Sequence, residues 1–236
     1  MTNNPNEKNP AEAAAMIDAV LRKETNWKQL WFYQKTVTLY QLTYVFTKRF
    51  LPKYGDRTVD QMIQAARSGK QNIVEGMADG VTSMELELKL LNVARASLRE
   101  LREDYEDYLK TRQLVCWEKG HPRYDKLLDF CRHRNRWEEY QSYSKRWSDE
   151  EMSNVALSLC HFADKMMLRY EKKVEQDFTE NGGIRERMTA ARLGYRNIQK
   201  AQLDEKDREI ARLKAEITRL QSELDELREA IAGGGD

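Results

Sequence analysis

Residues Gln61–Leu109 read QMIQAARSGKQNIVEGMADGVTSMELELKLLNVARASLRELREDYEDYL. In the second half of this stretch, apolar residues recur at steps of three, four or seven, which places them on one helical face. They are Met84, Leu88, Leu91, Leu98, Leu101, Tyr105 and Tyr108. The first half carries a stripe of mostly small residues, Met62, Ala66, Gly69 and Ile73. Because small residues let a partner helix approach closely, the stretch predicts a helical hairpin inside a bundle.

Two blocks within the same stretch resemble a known family. They are Ala65-Ala66-x-Ser68-x-x-x-Asn72-Ile73-x-Glu75-Gly76 and Leu91-Asn92-Val93-Ala94-x-Ala96-Ser97-Leu98-x-Glu100-Leu101. Their residues and spacing resemble the four-helix-bundle proteins of the 23S rRNA intervening-sequence type (the S23 family). The resemblance implies an up-down bundle that assembles into a ring, typically a pentamer. The family also resembles the accessory protein of diversity-generating retroelements, which binds nucleic acid and a reverse transcriptase.

A second resemblance lies further along the chain. It rests on Cys116-Trp117, on Asn154-Val155-Ala156-Leu157 and on Asp177-Phe178-x-x-Asn181-Gly182-Gly183-Ile184-Arg185-Glu186-Arg187-Met188. These residues resemble the four-helix-bundle suffix domain, a module that is appended to bundles of the S23 type. The resemblance implies that this segment lengthens the last connection of the bundle and carries its final helix.

The composition limits the class of protein. Charged residues make up 33% of the 236 residues and the net charge is +1, so no global charge excess indicates a DNA or membrane partner. No apolar run approaches the roughly 18 residues of a membrane span, and the N-terminus lacks the pattern of a secretory signal. Three scattered cysteines fit a reducing compartment. The sequence therefore predicts a cytoplasmic protein without a membrane partner.

Helix and cap signals predict an all-α chain: an up-down four-helix bundle with a helical insertion and a C-terminal coiled-coil helix. The predicted bundle helices are Trp27–Phe50, Thr58–Ala78, a third from Thr82 or Ser83 to Arg112, and a fourth after Ser148, with one inserted helix at Pro122–Tyr143. Ser148 and Glu151 have the spacing of a capping box. The predicted segments are a flexible arm (1–26, with a short helix over Ala11–Glu24), bundle helices 1–3 (27–112), a suffix segment (113–200), a coiled coil (201–232) and a disordered tail (233–236).

The last predicted segment carries a heptad repeat. Its core positions are Ile210, Leu213, Ile217, Leu220, Leu224, Leu227 and Ile231. Mostly isoleucine at a and leucine at d favours a parallel two-stranded coil. Two of the three g-to-e pairs between such strands have opposite charges, Glu209 with Lys214 and Glu223 with Arg228. We expect a homo-oligomer, but its number stays open, because the family ring implies five subunits and the heptad implies two.

Two polar features are candidate sites. Asn72 and Glu75 lie beside Gly76, and we interpret them as a buried hydrogen-bonded clasp, the alternative being a polar site for RNA or a partner. Basic residues form the second feature, and nucleic-acid contact is the alternative to solvated or core positions for them. They are Arg132, Arg134 and Arg136 near Trp137, and Arg185, Arg187, Arg192, Arg196 and Lys200 before the heptad. Leu203 stands where a basic-leucine-zipper protein has an arginine, so sequence-specific duplex binding is not expected.

Enzymatic and metal chemistry find little support in the sequence. Cysteine and histidine occur as the pairs Cys116 with His121, Cys131 with His133 and Cys160 with His161, but the close ligand spacing of zinc sites is missing. No phosphate loop, HExxH or nucleophile elbow occurs. The sequence thus predicts a non-enzymatic, self-associating scaffold or interaction protein without cofactor or metal. The alternative is an RNA- or DNA-binding accessory factor.

Overall fold

The computed structural model describes residues 20–52 and 57–232, and the regular structure in these ranges is helical. The prediction of an all-α chain is thus confirmed for the described residues. The helices are α1 (Trp31–Phe50), α2 (Arg57–Asp79), α3 (Met84–Thr111), α4 (Tyr124–His133), α5 (Glu138–Ser144), α6 (Asp149–Asn181) and α7 (Ile184–Ala232). None of these described helices combines the length and the apolar character that crossing a bilayer requires.

The described chain divides into two compact units. Residues 21–184 form the first, and residue 20 with residues 185–232 belongs to the second. Nearly all of α7 lies in the second unit, and this helix runs for 49 residues. The basic stretch and the heptad repeat, which we expected in separate segments, therefore share one helix.

In the first unit, α1, α2, α3 and α6 share one hydrophobic core. Each of them packs most closely against two others, in the cyclic order α1, α2, α3, α6. Gly69 of α2 lies against Leu98 of α3, whereas Gly76, further along α2, lies against the earlier residue Leu90. The two helices are therefore antiparallel, and the glycines allow them to approach closely because a side chain at either position would meet α3.

The apolar face of α3 forms the centre of this core. Leu91, Leu98 and Leu101 are buried, as the periodicity predicts. Tyr105 is fully buried as well, and its hydroxyl donates a hydrogen bond to Oγ1 of Thr43 on α1, at 3.0 Å. This bond satisfies the one polar group that Tyr105 brings into the core.

The inserted helix differs from the prediction. Instead of one helix over Pro122–Tyr143, the chain forms α4 and α5 with a break between them at 134–137. Arg134 adopts an extended conformation, and Glu139 accepts hydrogen bonds from the backbone N–H groups of Asn135 and Arg136, at 2.9 Å each. Lys35 of α1 donates from Nζ to the carbonyls of Cys131 and Arg134. The break is therefore stabilised by contacts that compensate for the lost helical hydrogen bonds.

The starts of α3 and α6 agree with the capping residues in the sequence. Ser148 accepts from Glu151 N–H, and the Glu151 carboxylate accepts from Ser148 N–H, so the predicted capping box at the start of α6 is confirmed. Ser83 caps α3. At the N-terminus α1 begins at Trp31 rather than Trp27, because a 3-10 turn occupies Trp27–Gln29. The tail 233–236 lies outside the described residues, as does most of the helix expected over Ala11–Glu24. The described part of that segment, residues 20–24, is not helical.

Candidate functional site

The heptad residues of α7 form an exposed apolar face, which we call the seam. Its described members keep between 48% and 63% of their surface exposed. These members are Ile210, Leu213, Ile217, Leu220, Leu224 and Leu227. The last predicted member, Ile231, has a side chain outside the described residues. An exposed aliphatic face of this length is a candidate interaction surface, because apolar surface is costly to leave in water.

Mostly charged residues flank the seam on both sides. Glu209, Glu216 and Glu223 occupy one flank, and Lys214, Gln221 and Arg228 occupy the other. Two of these residues make local ion pairs, Glu223 with Arg219 at 3.3 Å and Arg228 with Asp225 at 3.5 Å. Such exposed pairs contribute little to stability. Glu223 and Arg228 can therefore exchange these partners for residues of another helix at small cost.

The basic stretch precedes the seam on the same helix. Arg185, Arg192, Arg196 and Lys200 are exposed, whereas Arg187 is half-buried. None of the four exposed residues makes a side-chain ion pair within the described ranges. Their charges are therefore available to an anionic partner, and their predicted contact with nucleic acid stays a prediction.

The basic and aromatic residues of the insertion are arranged differently from a stacking platform. Trp137 and Trp147 are only partly exposed and pack against the core of the first unit. The Phe130 ring lies 5.8 Å from that of Trp147, and the Arg134 guanidinium lies over the same Phe130 ring at 4.2 Å. Arg132 and Arg136 are exposed. The aromatic rings thus pack against the core and one another, and nucleic-acid contact by Arg132, Arg134 and Arg136 stays a prediction.

The predicted clasp on α2 is only partly formed. Asn72 is half-buried and donates from Nδ2 to the carbonyl and the hydroxyl of Ser68, at 2.9 and 3.1 Å. Gly76 is buried, and a Cβ there would meet Leu90. Glu75 is exposed and accepts a hydrogen bond from Gln71 on the preceding turn. The expectation that Glu75 lies inside the bundle is wrong, because Glu75 lies on the side of α2 that faces away from the buried residues of this helix.

Two charged residues of α3, Glu87 and Arg95, are buried, which the sequence analysis does not predict. Arg95 donates from Nε to Asp164 and from a terminal nitrogen to Glu171, at 2.8 Å each, and it is almost fully buried. Burial raises the pKa of Glu171, while the Arg95 charge opposes that shift. Glu87 is also buried, and it accepts from the Tyr170 hydroxyl at 2.8 Å and pairs with Arg22. The signal was present, because Glu87 and Arg95 occupy register positions of the apolar face.

Lys35 is a further buried charge that the sequence pattern did not lead us to predict. Its side chain is fully buried between α1 and the end of α4, where it donates to the two carbonyls described above. Burial lowers the pKa of Lys35 to about 8. The available signal was its position four residues before Leu39, on the buried face of α1.

In the described ranges, which include every cysteine and histidine of the chain, these residues do not form a metal site. Cys131 and Cys160 are buried, and burial raises the pKa of each thiol to about 12. Cys116 is exposed. The described residues contain no group of three or more His, Cys, Asp or Glu that could hold a metal ion.

Two features of α7 are candidate functional surfaces, the seam and the basic stretch before it. Both lie in the second unit, on one continuous helix. Comparison of the chain with protein-family models, curated proteins and solved structures found no match.

Proposed function

We propose that this chain is a non-enzymatic, self-associating scaffold whose copies pair through α7. The observation that carries this proposal is the exposed seam from Ile210 to Leu227. Burying the exposed part of one such side chain stabilises a complex by about 1 kcal/mol. The seams of two helices together bring on the order of 10 kcal/mol, a gain comparable in size to the cost of association.

A second copy of the same chain is the partner that the seam fits best. Isoleucine at Ile210 and Ile217 and leucine at Leu213 and Leu220 match the preference of parallel two-stranded coils. In a parallel pair, Glu209 of one helix lies near Lys214 of the other, and Glu223 lies near Arg228. Both contacts are attractive and occur twice, so the flanks of the seam support pairing with an identical helix in register.

We further propose that residues 21–184 form an up-down four-helix bundle of the intervening-sequence type. The support is the pair of sequence blocks on α2 and α3, the antiparallel contact of these helices and the cyclic packing order α1, α2, α3, α6. Trp31 and Tyr44 are exposed apolar residues of α1, which suits contact with a neighbouring subunit. A ring of bundles and a pair of tails are separate assembly contacts, so each has to be measured independently.

The test compares Ile217→Asp with Ser222→Asp in the full chain. Both variants add one negative charge to α7, but Ile217 lies in the seam and Ser222 lies at the opposite, outer heptad position. A carboxylate in a paired seam costs several kcal/mol unless the coil opens. We expect Ile217→Asp to reduce helicity in circular dichroism and, if the tail makes its own assembly contact, to lower the mass in light scattering.

Two other results for Ile217→Asp would lead to different conclusions. Constant mass with reduced helicity would mean that the bundle sets the number of subunits and that the tails pair within the assembly. Unchanged mass and unchanged helicity would refute the coiled coil. Ser222→Asp should leave both quantities as in the wild type, and an equal loss in this variant would mean that added charge, rather than the seam, is responsible.

A further inference from the structure

The heptad register of the seam continues into the basic stretch. Counting back from Ile210 in steps of seven gives Leu203, Arg196 and Thr189 at position a. Counting back from Leu213 gives Lys206, Gln199, Arg192 and Arg185 at position d. The helix face that is aliphatic after residue 209 therefore becomes largely basic before it.

This change of chemistry occurs on a helix without a break. Because α7 is continuous from Ile184 to Ala232, the aliphatic and basic parts of the face remain aligned along it. Arg185, Arg192 and Arg196 are exposed and form no side-chain ion pair among the described residues. Lys200, at the adjacent position e, widens the basic part. We call residues 185–206 the basic arm.

In a parallel pair, the two basic arms start from the same end of the coil. Helices packed in a coil lie about 8–10 Å apart, so arginines at a and d would bring like charges close together. The arms should therefore separate before residue 203, while the seam holds the helices together after residue 209. Each arm is about 30 Å long at a rise of about 1.5 Å per residue.

We propose that the two arms of a pair hold the phosphate backbone of nucleic acid in the cleft between them. This inference rests on the parallel pairing proposed above. The anion replaces the repulsion between the arms with attraction, because its phosphates lie between residues of like charge. Contacts of this kind go to the backbone rather than to base edges, so binding is independent of sequence and falls steeply with salt.

The composition of the arm favours nucleic acid over an acidic protein. Three of the basic residues that follow the register are arginine, whose planar guanidinium binds phosphate through two hydrogen bonds. Tyr195 lies between Arg192 and Arg196 in sequence and is 53% exposed. An exposed ring among cations supplies a surface on which an unpaired base can stack. Single strands should therefore bind at least as tightly as duplexes.

The experiment measures fluorescence anisotropy of labelled poly(dT) and of a mixed-sequence duplex, titrated with the full chain. The test variant is Arg192→Gln with Arg196→Gln. The matched control is Arg208→Gln with Arg212→Gln, which removes the same charge from outer heptad positions of the same helix. We expect the test variant to weaken binding roughly tenfold or more, and to flatten the slope of log K against log salt by about 3, because a pair loses four charges. The control should change the affinity by less than about twofold.

Light scattering on the same samples separates this inference from the proposed pairing. A wild type that pairs but does not bind poly(dT) at low salt would overturn the nucleic-acid site and leave the scaffold in place. If Ile217→Asp abolishes pairing and binding together, the cleft between two arms is supported. Binding that survives the loss of pairing would refute the cleft.

Two further outcomes also count against the site. Equal loss of affinity in the test and control variants would show that only net charge matters. Tighter binding of polyglutamate than of poly(dT) in a competition experiment would make the partner an acidic polypeptide. Loss of folding should not explain the weaker binding of the Arg192/Arg196 variant. We expect its helicity to melt at the wild-type temperature or above, because the substitutions remove like charges from positions a and d.

Discussion

The contact between Gly69 of α2 and Leu98 of α3 limits how closely these two helices pack. Leu98 is 1% exposed, and a Cβ built on Gly69 would lie 2.7 Å from its Cδ2 and 3.1 Å from its Cγ. Replacing Leu98 by alanine removes the methyl groups that fill this contact. Substitutions of this type in a core cost about 2–5 kcal/mol, and we expect Leu98→Ala to lower the free energy of unfolding by this amount.

The substitution Gly69→Ala should have opposite effects in two backgrounds. In the wild type, alanine brings about 1 kcal/mol of helix propensity, but overpacking against Leu98 costs about 1–3 kcal/mol. The net effect is a loss of up to about 2 kcal/mol. With Leu98→Ala the clash is absent and the new methyl fills part of the cavity, so the same substitution should raise stability by about 1 kcal/mol. The double variant is therefore more stable than the sum of the single effects by about 1–3 kcal/mol.

Urea unfolding followed by tryptophan fluorescence measures these energies, because every tryptophan of the chain lies within residues 21–184. The control cycle pairs Gly69→Ala with Leu91→Ala. Leu91 is buried but lies two turns before Leu98, about 10 Å along α3, so its effect should add to that of Gly69→Ala within about 0.5 kcal/mol. A loss below about 0.5 kcal/mol for Leu98→Ala, or equal coupling in both cycles, would refute the packing described for α2 and α3.

Three other substitutions test charged residues. Lys35→Met leaves two carbonyls without their donor and should cost about 1–3 kcal/mol at neutral pH. The pKa of Lys35 is about 8 in the folded state and 10.5 in the unfolded state. The wild type should therefore gain stability relative to Lys35→Met as pH rises from the first value to the second, at up to about 1.4 kcal/mol per pH unit. Urea unfolding of both proteins at pH 7.5 and 9.5 checks the sign. Glu75→Ala should change the free energy of unfolding by less than about 0.5 kcal/mol, since Glu75 is exposed, and a larger loss would restore the clasp. Arg95→Leu should cost about 3–5 kcal/mol by leaving Glu171 uncompensated, whereas Arg95→Leu with Glu171→Leu should recover most of that loss in thermal unfolding.

Elements set by neighbouring residues could be predicted from the sequence. The Ser83 cap and the Ser148–Glu151 box are local hydrogen-bonding patterns, and α3 and α6 begin where these patterns indicate. The buried face of α3 follows from a period that is likewise local. The heptad of α7 belongs to the same class, because its exposed aliphatic face follows from spacing alone.

The break between α4 and α5 could not be predicted in this way. Residues Pro122–Tyr143 contain no proline or glycine after the first position, so propensity favours a single helix. The donor that satisfies the carbonyls of Cys131 and Arg134 is Lys35, nearly a hundred residues earlier in the chain. Only the folded chain brings this ammonium to the end of α4, where it replaces the hydrogen-bond donors that the carbonyls lose at the break.

The buried charges of α3 can be recognised from the sequence, but the residues that they contact cannot. A charge at the positions of Glu87 and Arg95 shows that the buried face needs a partner of opposite sign, but the partners come from α6 and from the segment before α1. Sliding α3 by one turn against α6, about 5.4 Å, would keep the apolar stripe in contact but would separate Arg95 from Asp164 and Glu171. An uncompensated buried charge costs several kcal/mol, so these pairs select one register among those that the apolar stripe alone would permit.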